Sequence, residues 1–330
     1  MIEPNQTRKR IESIKGNTVG LSITVNSSSD IICAKVDSNG THHDLLKQRR
    51  QSRGGMDLDH FRLRRIVKEN HASLILTVVV HPSVVQDERN NLVATIGSNQ
   101  FNIYDNEHVG DHLDLMAHLP SSDDPEFTAC CWSIKTDNEL DAWLVVGDVQ
   151  GRVRVFSVIT SQERCRLVLD AGRVTSLAAQ PDACRVAVTY ADGQLAYWDT
   201  LEQRLLSSVK DAHASHVLFG HNGVLVGTKS GHVHLYSIHD TQLVHTRVLV
   251  KPQHPSPIVC LKHVNGTTVA AYTRAGRLFT FEMESGDIVQ VIPLPRTTFD
   301  DHTTTFDLSR CGEYLAIGDT SGNVHILSTS

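Results

Sequence analysis

A short phrase recurs along most of this chain: two or three small or apolar residues, a turn ending in glycine, then an alternating strand that usually closes on an aromatic and a polar residue. It reads VVGDVQGRVRVFS at 145–157, AVTYADGQLAYWD at 187–199, LVGTKSGHVHLYS at 225–237, AAYTRAGRLFTFE at 270–282 and AIGDTSGNVHILS at 316–328. The hairpin glycines Gly151, Gly193, Gly231, Gly276 and Gly322 fall 38 to 46 residues apart, which is the period of a four-stranded propeller blade. A repeat of this size buries its apolar face only against its neighbours, so the pattern predicts an all-β propeller closed into a ring.

A sixth copy, ATIGSNQFNIYD at 94–105, carries Asn99 where the others have glycine; asparagine also tolerates a left-handed turn. A seventh unit is expected from the N-terminal region. VGLSITV at 19–25 alternates as a strand, IICAKVDSNG at 31–40 resembles the inner hairpin, THHDLLK at 41–47 returns from it, and KRIESIK at 9–15 has the length and alternation of an outermost strand. The last repeat stops after three strands at Ser330, and residues 9–15 would complete it and remove an unpaired edge. The alternative is six blades preceded by a disordered tail over 1–55, which NSSSD and QRRQSRGG favour.

The chain is expected to be one propeller over residues 1–330, with 1–8 disordered and 48–60 a basic, glycine-rich loop. No apolar run reaches the roughly 18 residues of a membrane span, and the first 30 residues lack the apolar core of a secretory signal. An intracellular protein without membrane contact is the expectation. Seven cysteines without CxxC spacing argue against a disulfide framework or zinc knuckle, and read as small buried apolar residues. Within a net charge of −6, residues 1–70 hold 13 Lys and Arg against 8 Asp and Glu. The excess lies in KQRRQSR at 47–53 and RLRRIVK at 62–68. These clusters suit a nuclear-import signal or a phosphate-binding stripe, or else a solvated loop followed by an edge strand guarded by charge.

Chemistry-bearing patterns are sparse. No phosphate-binding glycine loop, HExxH or GxSxG occurs, so neither an enzyme nor a cofactor is expected. Of 19 histidines, the closest groups are His42 with His43, His213 with His216, and His232 with His234. His232 and His234 share a face of one strand, but no third ligand can be assigned and no metal is expected. Asp123, Asp124 and Glu126 flank Pro125 and read as a loop. WD-repeat blades are stiffened by a hydrogen-bonded set that includes a Trp-Asp pair. Only Trp198-Asp199 preserves that pair, with Tyr104-Asp105 an approximation, so the chain reads as a divergent WD-repeat propeller held by apolar packing and strand pairing.

The most specific signal covers 68–157. KENHASLILTVVV leads into LVATIGSNQFNIYD, an acidic loop precedes PEFTACCW, and AWLVVGDVQGRVRVFSVIT follows. In order and spacing this resembles the first two blades of the extra sex combs (EED) family, the propeller subunits of the Polycomb repressive methyltransferase complex. Beyond residue 160 only the propeller period is shared. The resemblance implies a nuclear, chromatin-associated scaffold that grips a helical segment of a SET-domain histone methyltransferase, with other complex subunits and a histone tail or nucleosome as further partners.

In that family an aromatic cage encloses a trimethylated histone lysine, because a quaternary ammonium has no hydrogen to donate and aromatic faces supply cation–π attraction. Carried across by motif, the cage positions fall on Leu76, on Thr128, and on Thr304 with Thr305, or in the other repeat register on Pro257 with Ile258. None is aromatic, so the resemblance implies a family scaffold that has lost its methyl-lysine cage. Phe127 and Trp132 match family core positions and are expected to pack. The alternative is a WD-repeat scaffold of an unrelated intracellular complex, cytoplasmic or nuclear.

Overall fold

The computed structural model describes residues 21–26, 30–35, 75–82, 92–105, 114–120, 126–133, 135–138, 141–210, 212–252, 254–292, 306–308, 314–318 and 324–328. These form an all-β propeller. The first sheet pairs β1 (Leu21–Asn26) with β2 (Asp30–Lys35). Five four-stranded blades follow. The first comprises β3 (Ile75–Val80), β4 (Leu92–Gly97), β5 (Gln100–Asp105) and β6 (Asp114–Pro120). The second comprises β7 (Phe127–Ser133), β8 (Trp143–Asp148), β9 (Arg152–Ser157) and β10 (Gln162–Val168). In the third stand β11 (Val174–Ala179), β12 (Arg185–Tyr190), β13 (Leu195–Asp199) and β14 (Arg204–Val209). The fourth holds β15 (Ala214–Gly220), β16 (Gly223–Thr228), β17 (Val233–His239) and β18 (Gln242–Val250). The fifth holds β19 (Ile258–His263), β20 (Thr268–Thr273), β21 (Leu278–Glu282) and β22 (Ile288–Ile292). A three-stranded sheet of β23 (Phe306–Leu308), β24 (Tyr314–Gly318) and β25 (Val324–Ser328) ends the series.

Every blade is an antiparallel meander in chain order, and the first strands β3, β7, β11, β15, β19 and β23 pack successively against one another. They are the inner strands of the ring. Among the described residues five blades are complete, against the seven expected from sequence. In the N-terminal stretch residues 21–26 and 30–35 pair antiparallel as two successive strands, in the places where 19–25 and the start of 31–40 were expected to supply them. Residues 9–15, 41–47 and 48–60 lie outside the described residues.

The repeated phrase folds as its glycine demands. Gly151, Gly193, Gly231 and Gly276 have φ of 79°, 97°, 88° and 76°, the left-handed region open to glycine without cost. In three of these turns the residue before the loop caps it with its side chain. Asp148 Oδ1 accepts from the backbone N–H of Arg152, Thr228 Oγ1 from His232 and Thr273 Oγ1 from Arg277. Asn99 corrects the reading made for the first blade. It does not adopt a positive φ, and the β4–β5 link has two residues where the β8–β9 link has three.

Apolar packing lies mainly between successive sheets. One cluster joins Val145, Val153 and Val155 to Val174, Leu177 and Val188, and another joins Ala187, Leu195 and Tyr197 to Val217, Val224 and Tyr236. Phe127 and Trp132 are buried in the cluster between the first two blades, as expected of packing residues. Cys165 and Cys260 are buried, whereas Cys130, Cys131 and Cys184 are only partly so.

Polar staples supplement this packing, where a full WD set is missing. Thr128 Oγ1 donates across to Val174 O at 2.7 Å, and Ser215 Oγ, at the same position two blades on, donates to Ile258 O at 2.6 Å. At the other end of the inner strands Trp132 Nε1 donates back to Val79 O at 3.1 Å, and His263 Nε2 meets Phe219 O at 2.5 Å. Each such bond is partly buried and adds a polar contact between neighbouring blades.

Candidate functional site

Of the positions expected from sequence to match the family's cage, Leu76 and Thr128 lie near the start of inner strands. Each inner strand of the five blades carries a bulge after its first residue, seen as register shifts at 75/77, 127/129, 174/176, 214/216 and 258/260. The bulged residues are therefore equivalent: Leu76, Thr128, Thr175, Ser215 and Val259. Leu76 and Thr128, matched separately to the family's cage, thus occupy one structural position in adjacent blades.

Their surroundings differ. Leu76 is 46% exposed. Thr128 is partly buried, with its hydroxyl committed to Val174 O and Gly147 O also 3.3 Å away. Thr175 shares a hydrogen bond with Thr189 at 2.8 Å. In the other register, Ile258 is fully buried against Gly227, and Pro257 is half-buried with its carbonyl accepting from Arg274 N. Thr304 and Thr305 lie outside the described residues, as do Asp123 and Asp124. These five bulge positions carry small hydroxyls and aliphatic side chains, which offer hydrogen bonds and van der Waals contact but no π face.

A feature of the central channel was not anticipated from sequence. Lys262 of β19 forms an ion pair with Asp307 of β23 at 3.2 Å, with side chains 42% and 47% exposed although both strands are innermost. That combination places the pair on the channel wall. The Asp307 carboxylate is the main cause of the raised Lys262 pKa, ahead of the opposing effect of burial. Lys262 in turn acts on Cys130 of β7 and His216 of β15. Burial pushes the Cys130 thiol up, with Cys131 adding to it, and pushes Cys131 to about 12. Both are poor nucleophiles at neutral pH. The available signal was the charged residue within the apolar run PIVCLKH, which no single-blade pattern requires.

His232 and His234 do share a face, with ring centroids 5.9 Å apart, and the next strand adds His245 at 5.1 Å from His234. Burial, then His245, His232 and His213, lowers the His234 pKa to about 4. Among the described residues no three His, Cys, Asp or Glu side chains converge in a way that could hold a metal ion, and no helix is long and apolar enough to cross a membrane. A cleft between the fourth and fifth blades, lined by Leu225, Leu235 and Met283 with His221 and Glu284 among its polar residues, is small.

No protein-family model matches the chain, and comparison with curated proteins gives no match. What the structure supports directly is a β-propeller, a fold whose function resides in sites added to it.

Proposed function

We propose that the protein is a non-catalytic propeller scaffold of a Polycomb-type histone lysine methyltransferase complex, gripping a helical segment of the SET-domain enzyme in the nucleus. The observation that carries this reading is the ordered sequence resemblance over 68–157. Its described part falls on two consecutive complete blades, β3–β6 and β7–β10, so the resemblance spans a structural unit. Thiols with raised pKa and an internally paired lysine along the channel fit a scaffold better than a nucleophilic enzyme.

Within this proposal the cage has been lost. With Leu76 exposed and the Thr128 hydroxyl tied to the next blade, a trimethyl-ammonium meets no aromatic wall at these positions. Each cation–π contact contributes about 0.5–2 kcal/mol, so loss of several removes most methyl selectivity. Co-purification from the native cell should recover a SET-domain methyltransferase, and titration of trimethylated and unmodified histone-tail peptides should show less than about tenfold preference. Recovery of an unrelated cytoplasmic complex would instead support a general WD-repeat scaffold. A tenfold or greater methyl preference lost in Leu76→Ala or Thr128→Ala would refute the cage assignment.

We also propose a seven-bladed ring in which residues 9–15 add the fourth strand beside β25. The neighbouring placement of β1 and β3 supports this, since β1 then continues the series of inner strands. Deletion of residues 1–16 should lower the melting temperature markedly and promote aggregation through the open edge. An unchanged melting temperature would count against closure.

A further inference from the structure

Charge is segregated between the two ends of the later blades. Each blade is an antiparallel meander, so its first-to-second and third-to-fourth links lie at one end, while its second-to-third link and the crossings between blades lie at the other. In the third, fourth and fifth blades the first end comprises residues 180–184, 200–203, 221–222, 240–241, 264–267 and 283–287. These links carry Asp182, Glu202, Asp240, Glu284 and Asp287 and no Lys or Arg. The opposite end comprises residues 169–173, 191–194, 210–213, 229–232, 251–257 and 274–277. It carries Arg173, Lys210, Lys229, Lys251, Arg274 and Arg277 against Asp170, Asp192 and Asp211, with three histidines among them. A chain of net charge −6 thus keeps a basic end on three of its blades.

Close backbone contacts tie these basic links into one surface. Ala191 N donates to Arg173 O at 2.9 Å, Lys229 N to His213 O at 3.0 Å and Arg274 N to Pro257 O at 2.8 Å, each joining a crossing to a hairpin of the blade it enters. From blade to blade, the Lys229 ammonium donates to Ala191 O, and a Cβ at Gly231 would lie 2.5 Å from Ser256 O. The basic groups therefore follow one another in an arc across three blades. Arg173, Lys210, Lys229, Lys251 and Arg274 are exposed. Among the described residues none of the six cations forms an ion pair.

The chemistry of the arc selects its ligand. Its links contain no Phe, Tyr or Trp, and their one Leu, Leu169, packs against the core between the second and third blades. An acidic peptide is held by buried anchors beside its charges, and single-stranded nucleic acid by aromatic faces on which bases stack. The arc offers neither. A duplex needs only cations, because its backbone presents one negative charge per roughly 1.7 Å of axis whatever its sequence. We infer that this end of the third, fourth and fifth blades binds the phosphate backbone of double-stranded DNA without reading its sequence. The contact needs no methyltransferase and stands apart from the proposed complex.

The test is fluorescence anisotropy of a labelled duplex of about 25 base pairs, titrated with the full chain between about 50 and 200 mM salt. Binding should be micromolar in order of magnitude at the lowest salt and should weaken steeply, with log Kd rising against log salt at a slope of roughly 3.5–5.5 for four to six phosphate contacts. The triple variant Lys210→Gln, Lys251→Gln, Arg274→Gln removes three exposed cations. It should keep its melting temperature, bind at least tenfold more weakly at low salt and lose about 2.7 from the slope. The same loss should appear when Arg49, Arg50, Arg64 and Arg65 of the N-terminal basic clusters are also changed to Gln, which separates the arc from those clusters. Absence of binding at about 50 mM salt, or a triple variant that binds as tightly as the unmodified chain in either background, would overturn the inference. So would a polyglutamate peptide that displaces the duplex as well as unlabelled duplex does, since the ligand would then be an acidic protein segment.

Discussion

Replacing Gly147 by threonine should destabilise the protein by about 3 kcal/mol or more, lowering its melting temperature by roughly 4 °C or more. A Cβ at Gly147 would lie within 3.0 Å of Cβ and both Cγ atoms of Val174, which is fully buried at the start of the next inner strand. The same joint recurs two blades on, where a Cβ at Gly227 would lie 2.5 to 3.3 Å from the Ile258 side chain. Between these two joints the sizes are exchanged. In the third blade the position paired like Gly147 is Thr189, and the first residue of the next inner strand, equivalent to Val174 and Ile258, is Ala214 in place of a branched side chain. Val174→Ala alone should cost roughly 2 kcal/mol by leaving a cavity. The pair Gly147→Thr with Val174→Ala copies the Thr189–Ala214 joint and should recover a large part of the single-mutant loss. Chemical denaturation of the four proteins closes this cycle. Strict additivity of the two losses would show that the joints do not work by matched volume.

Acid should weaken the fold well above the range in which carboxylates titrate. Burial lowers His81 to about 4 and His216 to about 3, the latter with help from the Lys262 charge. Nδ1 of each is buried without a hydrogen-bond partner among the described residues. His234 is lowered to about 4 beside His245, His232 and His213. The folded state thus prefers neutral imidazoles, while the unfolded chain protonates them near 6.5. Between 6.5 and the folded values the unfolded state binds more protons. The stabilisation is therefore complete above about pH 6.5 and declines as pH falls toward 4 and then 3. For His81 and His216 the loss should reach on the order of 2–3 kcal/mol each. Urea midpoints measured at about pH 7.5 and pH 4.5 should differ accordingly. His216→Leu should flatten part of that difference; full retention of the pH dependence would remove His216 from the explanation.

The blade plan was legible in sequence because the turn geometry is written locally. A left-handed residue preceded by a side-chain cap and followed by an alternating strand needs only about a dozen neighbouring residues to specify it. Asn99 shows the limit of that reading, because residue type was visible while the loss of one loop residue became clear only from the pairing register. Features depending on two blades were hidden. Nothing near Thr128 announces that its hydroxyl bonds Val174, 46 residues away, and the Lys262–Asp307 pair likewise joins separate repeats. The cage positions Leu76 and Thr128 were read one by one from motifs; their common place on the inner-strand bulge emerges only when the blades are superposed by register.

The differing joints at Gly147, Thr189 and Gly227 carry a consequence for how such a ring can be rearranged. Blades that look interchangeable by repeat phrase are not interchangeable as parts. Moving the fourth blade into the third position would set Gly147 against Ala214 in place of Val174, leaving space at one seam. Placing the third blade in front of the fifth would crowd Thr189 onto Ile258 at another. Each blade holds a fixed address through the volume of the residues at its two flanks. Duplicating or shuffling blades should therefore give rings that close poorly unless the seam residues travel in pairs.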